Sequence, residues 1–317
     1  MVSCVRSITS ALNMANSSLL QDSNPAHGAP ASLEACPLCS GSQLRWFDLD
    51  YRGTPIFSCG TCEMRFVNPQ PSLEALHQLY ADYDGTQGPD AGAHRTPRQE
   101  RRRQRNQKRF PGELKHAYNF QLIERYAAPG RLLSIGCGSG TDLKVARARG
   151  WQVEGLEIDP GLARQTTEQT GCQVSHGNLL DFATEGALYD CVYMNHVLEH
   201  ALAPGDWLRK VHSLLSPSGV MWIACPNIDS LSNRTKTLMG RLSLKAYRGK
   251  HYASWHHLFF FSPRHLARLL EKQYGFSVIH AQGELRPSQH GAMGVRERAY
   301  QALPNLKSCF QLIARKA

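Results

Sequence analysis

"GRLLSIGCGSGTDLKVARARGWQVEGLEIDP", Gly130 to Pro160, decides the fold. Arg131 to Ile135 is an apolar run of strand length, and Gly136, Gly138 and Gly140 crowd the turn after it. Thr141 to Arg149 has helical spacing, and "WQVEGLEID" is a second strand-like run that closes on acid. Strand, glycine turn, helix, strand and acid make the βαβ unit of a nucleotide-binding sheet, with a right-handed crossover. A dinucleotide site calls for G-x-G-x-x-G, where a helix N-terminus meets pyrophosphate. Here the spacing is G-x-G-x-G, a turn whose bare backbone admits an adenosyl group and an amino-acid moiety at close range. Glu157, 21 residues after Gly136, stands at the tip of the second strand, where a carboxylate accepts both hydroxyls of a ribose.

Upstream, "CPLC" (Cys36, Cys39) and "CGTC" (Cys59, Cys62) are separated by 19 residues, the spacing of a zinc ribbon. Four thiolates fill a tetrahedral shell and leave no position for water, so Zn2+ here is structural. Reduced thiols under a loop and a redox pair are the blander readings. Of the other cysteines, Cys137, Cys191 and Cys225 lie in or beside apolar runs, where a thiol acts as a small hydrophobe. This usage fits a reducing cytoplasm.

The 317 residues suffice for one large domain with a small appendage. No run reaches the ~18 apolar residues of a membrane span. The Ser-rich start lacks the apolar stretch of a secretory signal, and residues 1–33 read as a disordered lead. The net charge of +10 is concentrated in Arg95 to Arg109, with eight basic residues and one Glu. Such a block is either a solvated segment or a guide toward phosphate on a small substrate, a lipid head group or RNA.

With these motifs in place, the chain resembles the class I S-adenosylmethionine-dependent methyltransferases. "LLSIGCGSG" looks like their first motif, "VEGLEID" the second and "SHGNLLDF" the segment at the adenine edge. "YDCVYMNHVLEHALAP" looks like the fourth strand and its loop, "LSPSGVMWIACPN" the fifth strand, and "KSCFQLIARK" the final antiparallel strand. The cysteine pairs followed by "RFVNPQPSLEALHQLYADYDG" are similar to a bacterial subgroup with an N-terminal zinc-binding module, whose members methylate sugars, quinone-like phenols or other secondary metabolites. The resemblance implies an α/β architecture: a doubly wound, mostly parallel seven-stranded Rossmann-like sheet behind a small zinc-ribbon module. The expected layout is a zinc module at 34–70, a helical linker with the basic segment at 71–115, and a methyltransferase domain at 116–317. It implies S-adenosyl-L-methionine held by Gly136, Gly138, Gly140, Glu157, Asn178, Leu179 and Asn195, and Zn2+ held by the four cysteines. Two positions depart from the family pattern. Ser134 stands where an acid usually helps hold the methionine amine, and Asn178 where Asp usually lies near the adenine amine.

"NHVLEH", Asn195 to His200, also matches the H-x-x-E-H signature of inverted zinc peptidases. That signature needs a metal-binding helix in an unrelated fold, whereas here it follows a strand at the ligand-binding edge of a parallel sheet. His196 and His200 share a face if the segment is helical, and either could be the base that deprotonates a hydroxyl or acidic carbon. The 37 residues from Pro226 to Ser262 carry few regular signals and read as a substrate lid. Tyr252, Trp255, His256 and His257 would meet an aromatic or sugar ring there, while Phe259 to Phe261 read as core. The leading expectation is methyl transfer to a hydroxyl or sugar carbon of a small, possibly phosphate-bearing molecule. A zinc-ribbon RNA methyltransferase and a non-catalytic cofactor-binding scaffold are the alternatives, and oligomeric state is not legible.

Overall fold

The computed structural model describes residues 32–50, 53–72, 74–76, 112–184, 186, 188–244, 249, 251–252, 256–285 and 295–317. The disordered-lead expectation up to residue 31, the basic block Arg95 to Arg109 and Trp255 lie outside the described residues.

Three short strands come first: β1 (Leu44–Leu49), β2 (Pro55–Cys59) and β3 (Arg65–Val67). After helix α1 (Gly112–Ile123) the expected unit follows as β4 (Arg131–Ile135), α2 (Thr141–Ala148) and β5 (Gln152–Glu157). Then come α3 (Pro160–Thr170), β6 (Gln173–His176), β7 (Tyr189–Asn195), α4 (Pro204–Leu214) and β8 (Leu215–Pro226). The chain continues through α5 (Leu231–Arg241), β9 (Phe259–Phe260), α6 (Pro263–Gln273), β10 (Phe276–Gly283), α7 (Val295–Ala302) and β11 (Cys309–Lys316). Local chemistry sets several ends. Asp159 caps α3 by accepting from the Leu162 amide, with Pro160 in the first turn, and Gly171 ends the helix at φ 63°. Ser230 and Ser262 cap α5 and α6 in the same way.

Seven strands form the large sheet in the order β10-β11-β8-β7-β4-β5-β6. β11 is antiparallel to both its neighbours, and the pairs from β8 to β6 are parallel. The chain runs outward from β4 to β6, then restarts on the other side of β4 with β7, so the order reverses there. Ligands bind at such a switch point, beyond the carboxyl ends of the strands.

Alternation along the strands separates two faces. Leu132, Tyr193 and Trp222 point to one side, where Phe120 and Ile123 of α1 and Ala146 of α2 cover them. Leu133, Ile135, Met194 and Ile223 point to the other, against Leu208 of α4 and Leu266 of α6. Cys36, Leu38, Met64 and Phe66 join this second core. The cysteine module therefore shares a core with the large domain. Its sheet has the order β1-β2-β3-β9, and β9 comes from the far side of the lid. Tyr274 of the large domain donates to the Leu38 carbonyl at 2.5 Å, and Arg65 pairs with Asp229 at 3.0 Å.

The segment 226–262 is more regular than its composition suggests. A capped helix, α5, occupies its first part, and β9 ends it.

Candidate active site

Gly136, Gly138 and Gly140 take φ of 64°, 52° and 70°, the left-handed region that side chains disfavour. At Gly136 an added Cβ would also lie 2.8 Å from a methyl of Val197, so the turn has no room for one. This turn brings the Gly138 amide to Glu157, which accepts it at 2.9 Å through one oxygen and the Ile158 amide at 2.9 Å through the other. The Asp159 amide adds a weaker bond at 3.3 Å to the oxygen that takes Ile158, so the carboxylate is aimed before any ligand arrives and its free acceptor capacity lies on the oxygen facing Gly138.

Glu157 opens onto a cleft of about 400 Å³ at the carboxyl edge of the sheet. Gly136, Asn178, Leu179, His196 and His200 share its wall, with Leu76 and Trp207 supplying apolar surface. Of the residues expected to hold cofactor, Gly136, Glu157, Asn178 and Leu179 therefore meet in one place. Gly138 and Gly140 shape the turn behind it. Asn195 accepts from Lys115 at 3.2 Å, and Asn178 accepts from the Leu180 amide at 3.0 Å.

The two histidines are not on one helical face. His196 follows β7 in a left-handed conformation, φ 59°, at a cost of roughly 1–2 kcal/mol for a residue with a Cβ. Only a single 3-10 turn, Leu198–His200, follows. The bend turns His196 back into a cage of buried carboxylates. Its Nε2 lies 2.9 Å from Glu284 and its Nδ1 3.4 Å from Glu199. Burial alone would depress this imidazole, but the two carboxylates outweigh it and lift His196 to about 9. Burial also works against the charged forms of Glu199 and Glu284, yet the His196 imidazole holds both well below the usual carboxylate range, with Lys115 adding to the effect on Glu284. Lys115 reaches Glu284 at 2.6 Å. His196 is thus a cation at neutral pH.

His200 is set differently. Its Nδ1 donates to the His256 carbonyl at 2.8 Å, which fixes the orientation of the ring on the cleft wall. The ring stacks on His256 at 5.3 Å and meets His257 edge-on at 4.9 Å. Burial, with His200 beside it, depresses His257 to about 3, so that ring is neutral. Glu199, His200 and His257 each place one donor atom within 4.8 Å of the others, as do His196, Glu284 and Cys309. In both sets the carboxylate is already matched by the His196 cation. Tyr252 does not reach the cleft. It is fully buried in the module's own cluster with Ile56, Val67 and Phe260, and its hydroxyl lies 3.4 Å from Thr237. Lys115 and Glu284 escaped the sequence reading, since neither belongs to a local pattern.

The four cysteines converge as their spacing implies. Cys36 and Cys62 Sγ lie 3.6 Å apart, Cys39 and Cys59 Sγ 3.5 Å, and all four fall within 4.8 Å. A tetrahedron with Zn–S bonds of about 2.3 Å has sulfur–sulfur edges of about 3.8 Å. The donor set fits Zn2+, and it lies apart from the cleft.

A family model described as a methyltransferase domain matches residues 102–281, more than half of the 317 residues. The chain belongs to this methyltransferase family. The residues of its glycine turn, aimed acid and sheet-edge cleft could hold S-adenosylmethionine. The ubiquinone biosynthesis O-methyltransferase of Ruegeria pomeroyi is 31% identical over 166 residues, covering 50% of this chain and 65% of the relative. That of Methylocella silvestris is 27% identical over 145 residues, covering 44% and 56%. The chain therefore spans less than two thirds of the length of these relatives. Among solved structures, the CcbJ methyltransferase of Streptomyces caelestis is 14% identical with a TM-score of 0.47, covering 66% of this chain and 93% of that one. The 1,6-didemethyltoxoflavin-N1-methyltransferase of Burkholderia thailandensis is 17% identical with a TM-score of 0.47, covering 80% and 96%. Likenesses of this degree say nothing of the acceptor.

Proposed function

We propose that this methyltransferase acts on a hydroxyl of a small-molecule acceptor, with His200 as the base. The observation that carries the reading is the place of His200 on the cleft wall, its Nδ1 held by the His256 carbonyl at 2.8 Å. S-adenosylmethionine, when bound, supplies an electrophilic sulfonium methyl. Glu157 holds the ribose, and Asn178 and Leu179 flank the adenine. His200 would take the hydroxyl proton as the acceptor oxygen bonds to the methyl and the methyl–sulfur bond breaks, with S-adenosylhomocysteine leaving. His196, already cationic, offers positive charge to the developing oxyanion without reorganising. Val197, Leu202 and Trp207 give the cleft apolar walls that exclude water. His256 and His257 do not line the cleft; they pack against His200 and would hold its ring in place. The ubiquinone O-methyltransferase relatives favour a phenolic hydroxyl over a sugar carbon. Zn2+ on Cys36, Cys39, Cys59 and Cys62 would hold the module against the domain.

The test is turnover of labelled S-adenosylmethionine with a panel of catechols, hydroxyquinols and sugars, for wild type and His200→Gln. Methylated phenol from wild type, lost in His200→Gln while cofactor binding persists, is the expected result. Equal turnover in the variant would return His200 to an architectural role.

A further inference from the structure

The cage around His196 holds more charge than orientation requires. Glu284 alone, 2.9 Å from Nε2, would fix the ring, yet Glu199 also stands 3.4 Å from Nδ1. Lys115, from α1, reaches Glu284 at 2.6 Å and donates to Asn195 at 3.2 Å. Two cations therefore face two anions. The side chains of Glu199 and Glu284 are sealed, at 0% and 1% exposed, and that of Lys115 is 15% exposed. His196 is the member that opens onto the cleft, 27% exposed. Two neighbours that act on the cage add no charge, because burial holds the His257 imidazole and the Cys225 thiol in their neutral forms. With His200 as the base, and so unprotonated, this end of the cleft is balanced among the described residues.

An ion cluster that only held the fold would also balance itself. This one does so behind a cation that stands on the cleft wall, where its balance is felt by whatever binds. Burying a carboxylate or phosphate is offset only by an opposite charge left free to meet it. Here both cations already face a carboxylate. Lys115 decides the sign, since without it two carboxylates would outnumber one imidazolium. We infer that Lys115, acting through Glu284 and His196, sets the acceptor end of the cleft to neutrality and so selects an uncharged hydroxyl compound over an acidic or a cationic one. This assignment rests on the hydroxyl-acceptor reading and narrows it. It also suits the chemistry. An uncharged acceptor meets a balanced cage in the ground state, and the nearby His196 counts only as the oxygen gains charge during transfer. That difference favours the transition state over the bound substrate.

The experiment measures kcat/KM for three acceptors that share one ring and differ in charge: 3,4-dihydroxybenzamide, 3,4-dihydroxybenzoate and 3,4-dihydroxybenzylamine. Values are compared as ratios within one preparation, so any loss of folded enzyme cancels. Wild type should favour the benzamide over either ion. Lys115→Met should raise the benzylamine-to-benzoate ratio by about tenfold, the scale of one unit charge acting across a partly buried cleft. Lys115→Arg should keep the wild-type ratio. An unmoved ratio in Lys115→Met, as a purely structural cation would give, overturns the inference, and so does a wild type that prefers the benzoate or the benzylamine. Failure of the underlying reading shows differently. If wild type methylates none of the three, the hydroxyl acceptor falls and this selectivity with it; if the benzamide is methylated but the ratios ignore charge, the hydroxyl acceptor stands and this inference alone falls.

Discussion

Glu157 and His196 show two ways a fold prepares a single side chain. Glu157 is aimed by three backbone amides before a ligand arrives. Glu157→Ala should therefore weaken S-adenosylmethionine by roughly 1.5–3 kcal/mol, the range for hydrogen bonds to a charged group. Unchanged affinity by calorimetry would remove it from the ribose. His196 is prepared by charge. Its folded pKa of about 9 lies above the ordinary imidazole value. Its contribution to stability is therefore fully present below about pH 6.5 and is lost as pH rises through about 9. The urea midpoint should fall between about pH 7 and pH 10, and Glu284→Gln should flatten that fall. A wild-type midpoint independent of pH over that window would mean His196 is uncharged.

At the level of elements, the cleft depends on strands that are far apart in the chain. β3 pairs with β9 through Arg65 opposite Phe260 and Phe66 opposite Phe259. The Val67 amide donates to the Leu258 carbonyl at 2.9 Å, and the Leu258 amide donates to the Glu199 carbonyl at 2.8 Å. One residue thus links the cysteine module to the turn that carries His200. Cys59→Ser should lose the metal, since a structural site with three thiolates is incomplete. It should also cut turnover more than cofactor binding, because the β3–β9 seam steadies His256 and His257 and not Glu157. Full zinc content in that variant would sink the four-cysteine site. Metal loss with turnover untouched would uncouple the seam from the cleft.

Across the whole molecule, the module and the sheet share one continuous core. Phe66 lies in it together with Leu133, Ile223 and Leu266. Phe66→Ala should cost about 3–5 kcal/mol, and far-UV and near-UV signals should still unfold together. A separate early transition for the module would contradict a shared core. The overall charge of +10 bears on the acceptor. An RNA grip through six or more phosphates would lose roughly a thousandfold in affinity between 50 and 200 mM salt. Turnover with a small phenolic acceptor should change by less than about twofold over the same range. A steep loss would favour the RNA reading.

The βαβ unit, the glycine turn, Glu157 and the four cysteines were all legible in the chain. Each is a short-range pattern: strand and helix periods, residues that tolerate φ above zero, ligands at fixed spacing. The final antiparallel strand followed from the family resemblance, and the burial of Phe259 to Phe261 from their composition. Tertiary packing decided the rest. The H-x-x-E-H stretch promised a helical face, but a left-handed His196 broke it, and carboxylates at positions 199 and 284 then made that histidine a cation. Tyr252 has the composition of a binding residue and is core. Charge states and burial arise from groups brought together over long chain separations, and local periodicity carries no record of those partners.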